Sequence, residues 1–423
     1  MAIKGSGSPM EAVDEYFDML IKSRFNEMFE CIDLSAQKPD WISIGEVGTI
    51  LTGSTPKTNE PSYWDGDLKW IAPAELTSES FIINDTERKI TEEGRKSCSL
   101  NLLEPGVVLL SSRAPIGKVA IVGSEMYCNQ GFKNIKCGPK LNNVFLFVLL
   151  KNNTEYLNSL GRGATFKEIS AKIVENIRIP VPPIEDQNRF VDFFMQVDKS
   201  KAIVQKCIDK YDLLVKSRFI EMFNPFLKDT KYLSDVAIFL RNGANIKQEK
   251  SAKGYPITRI ETLANGVFNI DRLGYADIFN LDKYEGYILQ PGDLLISHIN
   301  SGIYVGKTVQ YHGENAPIIH GMNLLCLRLN DECSPTFFEY YMKTNDARAY
   351  IKTITKQSVN QASFSVSDLK KMPIPIPPKD VQHSFELFLK QVDKSKFVET
   401  VEPDHPAVFQ NIHGFPSFGL IST

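Results

Sequence analysis

Residues 179–183 read IPVPP and run directly into IEDQNRFVDFFMQVDKSK; residues 374–378 read IPIPP and run into KDVQHSFELFLKQVDKSK. Matched positions lie 195 residues apart, Gln187 with Gln382 and Phe190 with Phe385 among them. An apolar-proline pentamer, two side chains at fixed offsets and an identical hexapeptide do not recur together by chance, so the chain is internally duplicated. A second copied segment agrees: residues 22–29 are KSRFNEMF and residues 216–223 are KSRFIEMF, 194 apart. So long a period is no solenoid and implies two domain-sized units.

Downstream of the first pentamer, apolar residues recur at alternating steps of four and three. The seam runs Phe190, Phe194, Val197, then Lys201, Val204, Ile208, Tyr211, Val215 and Met222, with no Pro or Gly inside. This predicts a central conserved coiled-coil helix within 183–230. Pro182 and Pro183 start it and Asn224-Pro225 stops it. At a rise of about 1.5 Å per residue, about 40 residues make a rod of about 60 Å. Its partner helix comes in two pieces. Within the segment 378–398, Pro378 to about Phe397 repeats the first half, with Phe385, Leu389 and Val392 on the seam, and within the segment 10–39, Met10 to about Glu30 repeats the second half, anchored by Phe17, Ile21, Phe25 and Met28. The chain reads as a cyclic two-fold object cut at a helix midpoint. Lys201 and Lys396 occupy matching seam positions and either mark the register or snorkel to solvent. Residues 1–9 read as a leader and are excluded from the fold; 399–423 read as an irregular tail.

Two globular segments, 40–182 and 231–377, lie between the helices. Both carry strand-like runs broken by Gly and Asn, such as GVVLLSS (106–112) and GDLLISH (292–298). They are diverged copies: EVGTILTGSTPK parallels DVAIFLRNGANIK, LEPGVVLLSS parallels LQPGDLLISH, GKVAI parallels GKTVQ, NQGF parallels IHGMN, and GATFKEIS parallels QASFSVSDL. The expected fold class is α+β, with two mixed α/β domains in a duplicated, pseudo-two-fold arrangement joined by a long antiparallel coiled coil.

Composition narrows the function. A chain of 423 residues at 43% hydrophobic and 23% charged is an ordinary globular protein. Its longest apolar run, Val144–Leu150, is far short of the ~20 residues that span a bilayer. Seven cysteines without a CxxC pair imply reduced thiols and a cytoplasmic location. No GxGxxG, P-loop, HExxH or GxSxG segment is present, and the six histidines lack ligand spacing. Neither catalytic residues, nor a metal site, nor a cofactor is expected in this chain. The net charge of −3 requires any nucleic-acid face to be local.

What remains is a recurrent set of basic and amide residues beside glycine in the loops. In the first segment these are Thr55, Lys57, Arg113, Lys118, Gln130, Lys133, Arg162, Thr165 and Lys167. In the second they are Arg241, Lys247, Arg259, His298, Asn300, Lys307, His320, Asn323, Lys356, Gln357, Asn360 and Gln361. Arg and Lys suit guanine O6/N7 and phosphate, Asn and Gln suit adenine N6/N7, and glycine lets a loop approach a groove closely. Any one of them taken singly is more simply a polar turn residue. Their repetition at corresponding places in two copies is what points to DNA.

The duplicated hinge-and-helix blocks, the KSRFxEMF blocks and the run SSRAPIGKVAI…CNQGF resemble the specificity subunit of type I restriction-modification systems, a bacterial defence. The resemblance covers residues 10–396. It implies two target-recognition domains, each reading one half of a bipartite, asymmetric site in double-stranded DNA. The conserved helices would act as a ruler and dock two modification (methyltransferase) subunits. S-adenosylmethionine, ATP and Mg would belong to those partners and to restriction subunits. Members of the family often begin directly with a recognition domain, whereas this chain opens with half a helix repeat, and KSRF does not follow the second QVDKSK. The alternative is a coiled-coil scaffold that binds protein and not DNA; a fused restriction-methyltransferase enzyme lacks any catalytic motif here.

Overall fold

The proline junctions start helices, as the seam pattern predicts. In the computed structural model, which describes residues 9–401 except 114, 164–166, 247, 250–252, 301–303, 314–316 and 358–361, helices run over Pro9–Phe29, Ile184–Phe223 and Lys379–Val401. Acidic residues sit in the first turns of the latter two, Glu185 and Asp186 in one and Asp380 in the other, where they face the positive end of the helix dipole. The first helix ends beside Glu30, within the N-terminal segment 10–39. It stops at Phe29 because Glu30 turns to φ 62°, a left-handed conformation that ends a helix. The last helix continues past 398 to Val401.

The described chain forms two units, one of residues 17–199 and one of residues up to 16 together with 200 onward. In the first unit, a five-stranded sheet runs in the order Gly48–Thr52, Lys133–Cys137, Val108–Leu110, Val119–Val122, Ile82–Ile83. In the second, a four-stranded sheet runs Ala237–Asn242, Leu325–Leu329, Leu294–Ile296, Thr308–Gln310. The strands paired by sequence therefore occupy the same places in the same strand order, whereas GATFKEIS and QASFSVSDL match in another register, with Ile169 and Ser170 in the places of Phe364 and Ser365. The inner strands, Val108–Leu110 and Leu294–Ile296, are buried along their whole length, as continuous apolar runs require. Gly117 and Gly306 close equivalent turns at φ +91° and +84°, where a Cβ would come within 3 Å of Thr154 and Ile351. Each unit also pairs its two ends: Ile42–Ser43 runs antiparallel to Arg178–Ile179, and Thr230–Tyr232 to Pro373–Pro375.

The repeated Gln and Phe of the junction make the same contacts in both units. Gln187 is fully buried; its Nε2 donates to the carbonyls of Pro182 (2.7 Å) and Lys140 (3.0 Å), and its Oε1 accepts from the Asn142 amide (2.9 Å). Gln382 donates to Pro377 (2.7 Å) and Glu332 (2.9 Å) and accepts from the Ser334 amide (2.7 Å). Asn142 and Ser334 are the N-caps of helices Asn143–Asn152 and Pro335–Tyr341. One amide side chain thus holds a proline hinge against the first turn of a neighbouring helix. Beside it lie four phenylalanine rings. Phe25, Phe29, Phe145 and Phe190 form one cluster, with Phe25–Phe190 at 5.1 Å and Phe29–Phe145 at 5.0 Å. Phe219, Phe223, Phe337 and Phe385 form the other, with Phe219–Phe385 at 5.3 Å and Phe223–Phe337 at 4.7 Å.

The helix seam is correspondingly buried at Phe190, Phe194, Val197, Val204, Ile208, Val215, Phe385, Leu389 and Val392. Met222 and Tyr211 are only half-buried, and Phe219 and Phe223, off the expected seam, are 4% and 1% exposed. These rings turn toward Phe337 in the globular segment, a second packing surface that a heptad pattern does not contain. In the first unit Arg24 lies over Phe193 (5.8 Å) while Phe29 meets Phe190 (5.8 Å), so the first helix runs antiparallel to the start of Ile184–Phe223. In the second, Lys201 pairs with Asp14 at 2.7 Å. The Lys396 side chain lies outside the described residues.

Candidate nucleic-acid interface

Three short segments come together at corresponding places in each unit, beyond the ends of the main sheet. In the first unit, residue 168 bridges antiparallel to residue 113 on one side and residue 162 on the other. In the second, Ala362–Ser363 lies between Ile299–Asn300 and Lys356–Gln357. Both ribbons hang from the sheet in the same way: the Ser112 carbonyl accepts from the Ile169 amide (2.9 Å), and the His298 carbonyl from the Phe364 amide (3.2 Å). The small ribbons collect Arg113 and Arg162 in one unit and Asn300, Lys356 and Gln357 in the other, and they flank 164–166 and 358–361. The sites Thr165, Lys247, Asn360 and Gln361 lie outside the described residues.

Around the first ribbon the polar side chains form a connected network. Asn129 Nδ2 donates to Thr55 Oγ1 (2.8 Å), Thr55 in turn meets Gln130, and the Gly131 amide donates to Asn129 Oδ1 (2.7 Å). Lys133 is 8% exposed and donates to Glu168 (3.1 Å), to the Gln130 carbonyl (3.1 Å) and to Ser112 (3.2 Å). It is therefore an internal strut rather than the surface contact expected from its residue type. Arg113 Nε donates to the other oxygen of Glu168 (3.0 Å). Burial alone would push the Glu168 carboxyl up, but hydrogen bonds from Arg113 and Lys133 and their charges hold it below the ordinary carboxylate range. Lys118 is half-buried and donates to the Leu76 carbonyl. Lys57, Arg162 and Lys167 are exposed.

In the second unit Arg241 is laid against Phe239 (4.5 Å) and Tyr287 (5.1 Å) and donates to the Gly286 carbonyl. Lys307 lies over Tyr304 at 4.3 Å. With Asn300, Arg272 and Ser297 these two residues line a cleft of about 210 Å³. Arg259 pairs with Glu261 (3.6 Å), and Asn323, Lys356 and Gln357 are exposed. The aromatic rests at Tyr287 and Tyr304 were not among the expected site residues, since their sequence neighbours carry no polar repeat.

The two histidines expected on this face are instead inside. His298 is 5% and His320 2% exposed, and His320 Nε2 donates to the Leu324 carbonyl (2.9 Å). Burial, with the nearby Arg241 charge, pushes His320 down to about 4 against the hydrogen bond that raises it. Below its unfolded pKa of about 6.5 the unfolded chain takes up a proton that the folded chain refuses. Stability held above pH 6.5 is therefore expected to fall between pH 6.5 and 4, by up to about 3 kcal/mol from this residue. Urea unfolding across that range checks it: His320→Gln should flatten the slope.

Among the described residues no helix is long and apolar enough to cross a membrane, and no three His, Cys, Asp or Glu side chains are grouped to hold a metal ion. Residues 40–210 and 228–402 match the type I restriction modification DNA specificity domain. The chain belongs to this family. Each matched span holds one sheet-bearing segment, its ribbon, the proline junction and part of the helix beyond, so the duplicated unit corresponds to one specificity domain. Among curated relatives, the MjaIX specificity subunit of Methanocaldococcus jannaschii is 32% identical over 278 residues, 59% of this chain and 64% of that protein. The putative MjaX specificity subunit of the same organism is 37% identical over 166 residues, 39% of each. The crystal structure of a type I restriction-modification S subunit from M. genitalium matches with TM-score 0.44 and 15% identity over 90% of this chain and 98% of that one. The matched residues span 64% of the length of the first of these curated relatives and 39% of the second.

Proposed function

We propose that this chain is the non-catalytic DNA-specificity subunit of a type I restriction-modification complex. Its two specificity domains, taken as 40–182 and 231–377, each read one half of a bipartite, asymmetric site. The observation that carries the reading is the pair of ribbons: one scaffold presented twice, with Arg113 and Arg162 on the first and Ile299, Asn300, Lys356 and Gln357 on the second. Equivalent scaffolds with unlike side chains read unlike sequences. In this reading the conserved helices set the spacer and dock two modification subunits, which supply S-adenosylmethionine and methyl transfer. Restriction subunits bring ATP- and Mg-dependent cleavage. The partners also supply phosphate-neutralising charge that a chain of net charge −3 lacks. The complex acts on chromosomal and incoming DNA in the cytoplasm.

The experiment is selection of random-sequence duplexes by the complex reconstituted with its methyltransferase. A split motif is expected. Arg162→Ala should weaken or relax one half of it and Lys356→Ala, at the equivalent place, only the other, each by about 1–3 kcal/mol if it reads a base. The absence of any enriched motif, with no DNA affinity in the complex, would support the protein-binding scaffold instead.

A further inference from the structure

The first ribbon contains an acid in the middle of a face otherwise supplied with donors. We propose that Glu168 is a positioning residue that fixes Arg113 for end-on reading of a guanine, a device present in the first specificity domain and absent from the second. The inference rests on the DNA-reading function above and deepens it.

Three observations carry it. First, Glu168 is held from both sides. Its backbone amide donates to the Arg162 carbonyl (2.9 Å), its carbonyl accepts from the Arg162 amide (3.0 Å), and Lys133, anchored on Ser112 and the Gln130 carbonyl, grips Oε1. The carboxylate is therefore a rigid acceptor, with its orientation set before any ligand arrives. Second, among the described residues its remaining oxygen takes only the Nε–H of Arg113 (3.0 Å). Among the described residues the terminal Nη pair makes no hydrogen bond, and the Arg113 side chain is 46% exposed. An arginine whose Nε is engaged retains its outer fork, which matches O6 and N7 of guanine in the major groove. Fixing the planar group in advance removes rotamer entropy that a free arginine would lose on binding. Third, the equivalent places in the second ribbon hold Ile299 opposite Ser363, which cannot form such a pair.

An acidic residue beside phosphates should weaken non-specific attraction, so Glu168 trades general affinity for discrimination. This distinguishes positioning from a merely structural role. Random-duplex selection and competition binding on the reconstituted complex would compare the wild type, Arg113→Ala, Glu168→Gln and Glu168→Asp, with thermal unfolding measured alongside. Arg113→Ala is expected to erase preference at one base pair of one half-site. Glu168→Gln should relax preference at that same base pair at least about fivefold, leave the other half-site unchanged, and hold or raise affinity for random DNA. Glu168→Asp should restore part of the preference. Retention of full preference in Glu168→Gln where Arg113→Ala loses it would overturn the proposal, as would an even loss across the whole half-site with a lowered melting temperature. An Arg113→Ala motif identical to wild type would overturn it as well. If the wild-type complex selects no motif, the DNA-reading function itself fails and the inference falls with it.

Discussion

Phe190→Ala is expected to destabilise the chain by about 3–5 kcal/mol, the cost of emptying a fully buried aromatic site. The ring meets Phe25 at 5.1 Å and Phe29 at 5.8 Å, and both of these rest on Phe145. The cavity would therefore loosen three segments far apart in sequence. Phe385→Ala should cost a similar amount, because Phe385 stands in the same relation to Phe219, Phe223 and Phe337. Hydrogen exchange distinguishes the two variants. Phe190→Ala should release amides around 22–29 and 143–152, and Phe385→Ala those around 216–223 and 335–341. Equal loss at both places in either variant would show that the two clusters do not melt separately.

Gln187→Ala should cost about 3 kcal/mol or more. The side chain is fully buried and satisfies three backbone groups: the carbonyls of Pro182 and Lys140 and the amide of Asn142. Its removal takes a partner from all three part-buried groups, and each one left unsatisfied costs about 1–3 kcal/mol before relaxation. Gln187→Leu tests the cause. It keeps most of the volume but not the hydrogen bonds, so it should be nearly as destabilising as alanine. A leucine variant with wild-type denaturant midpoint would mean that packing rather than polar satisfaction holds the hinge. Gln382 offers the same test in the second unit.

Much of this fold was legible without coordinates because its strongest signals are local or repeated. The seam of Ile184–Phe223 is a periodicity, its start is a pair of prolines, and the sheet strands are apolar runs that recur at matching places. The junction Gln and Phe were visible as a repeat but not as a mechanism, since their partners Asn142 and Phe25 lie more than 40 residues upstream. Heptad stepping reached Met222 and passed over Phe219 and Phe223, because those rings pack against Phe337 of the helix Pro335–Tyr341 as well as against Phe385 of the other long helix. In the site, residue type misled where burial decides. Lys133, His298 and His320 carry polar groups suited to DNA, yet the fold encloses them. Glu168 was passed over for the opposite reason. A search for donors discards an acid, and only folding brings it from position 168 to Arg113.

In each unit the inbound and outbound strands pair with one another, Ile42 with Ile179 and Lys231 with Ile374, while the ribbons lie elsewhere. Each lobe therefore has a closed neck that lies apart from the ribbons proposed to read DNA. A lineage of such chains can exchange one arginine, glutamine or serine on a lobe for another while the neck, and the helix it feeds, stay as they were. On the proposed DNA-reading function, a substitution on a ribbon can alter what is recognised while the strand pairs that hold the neck together stay in place.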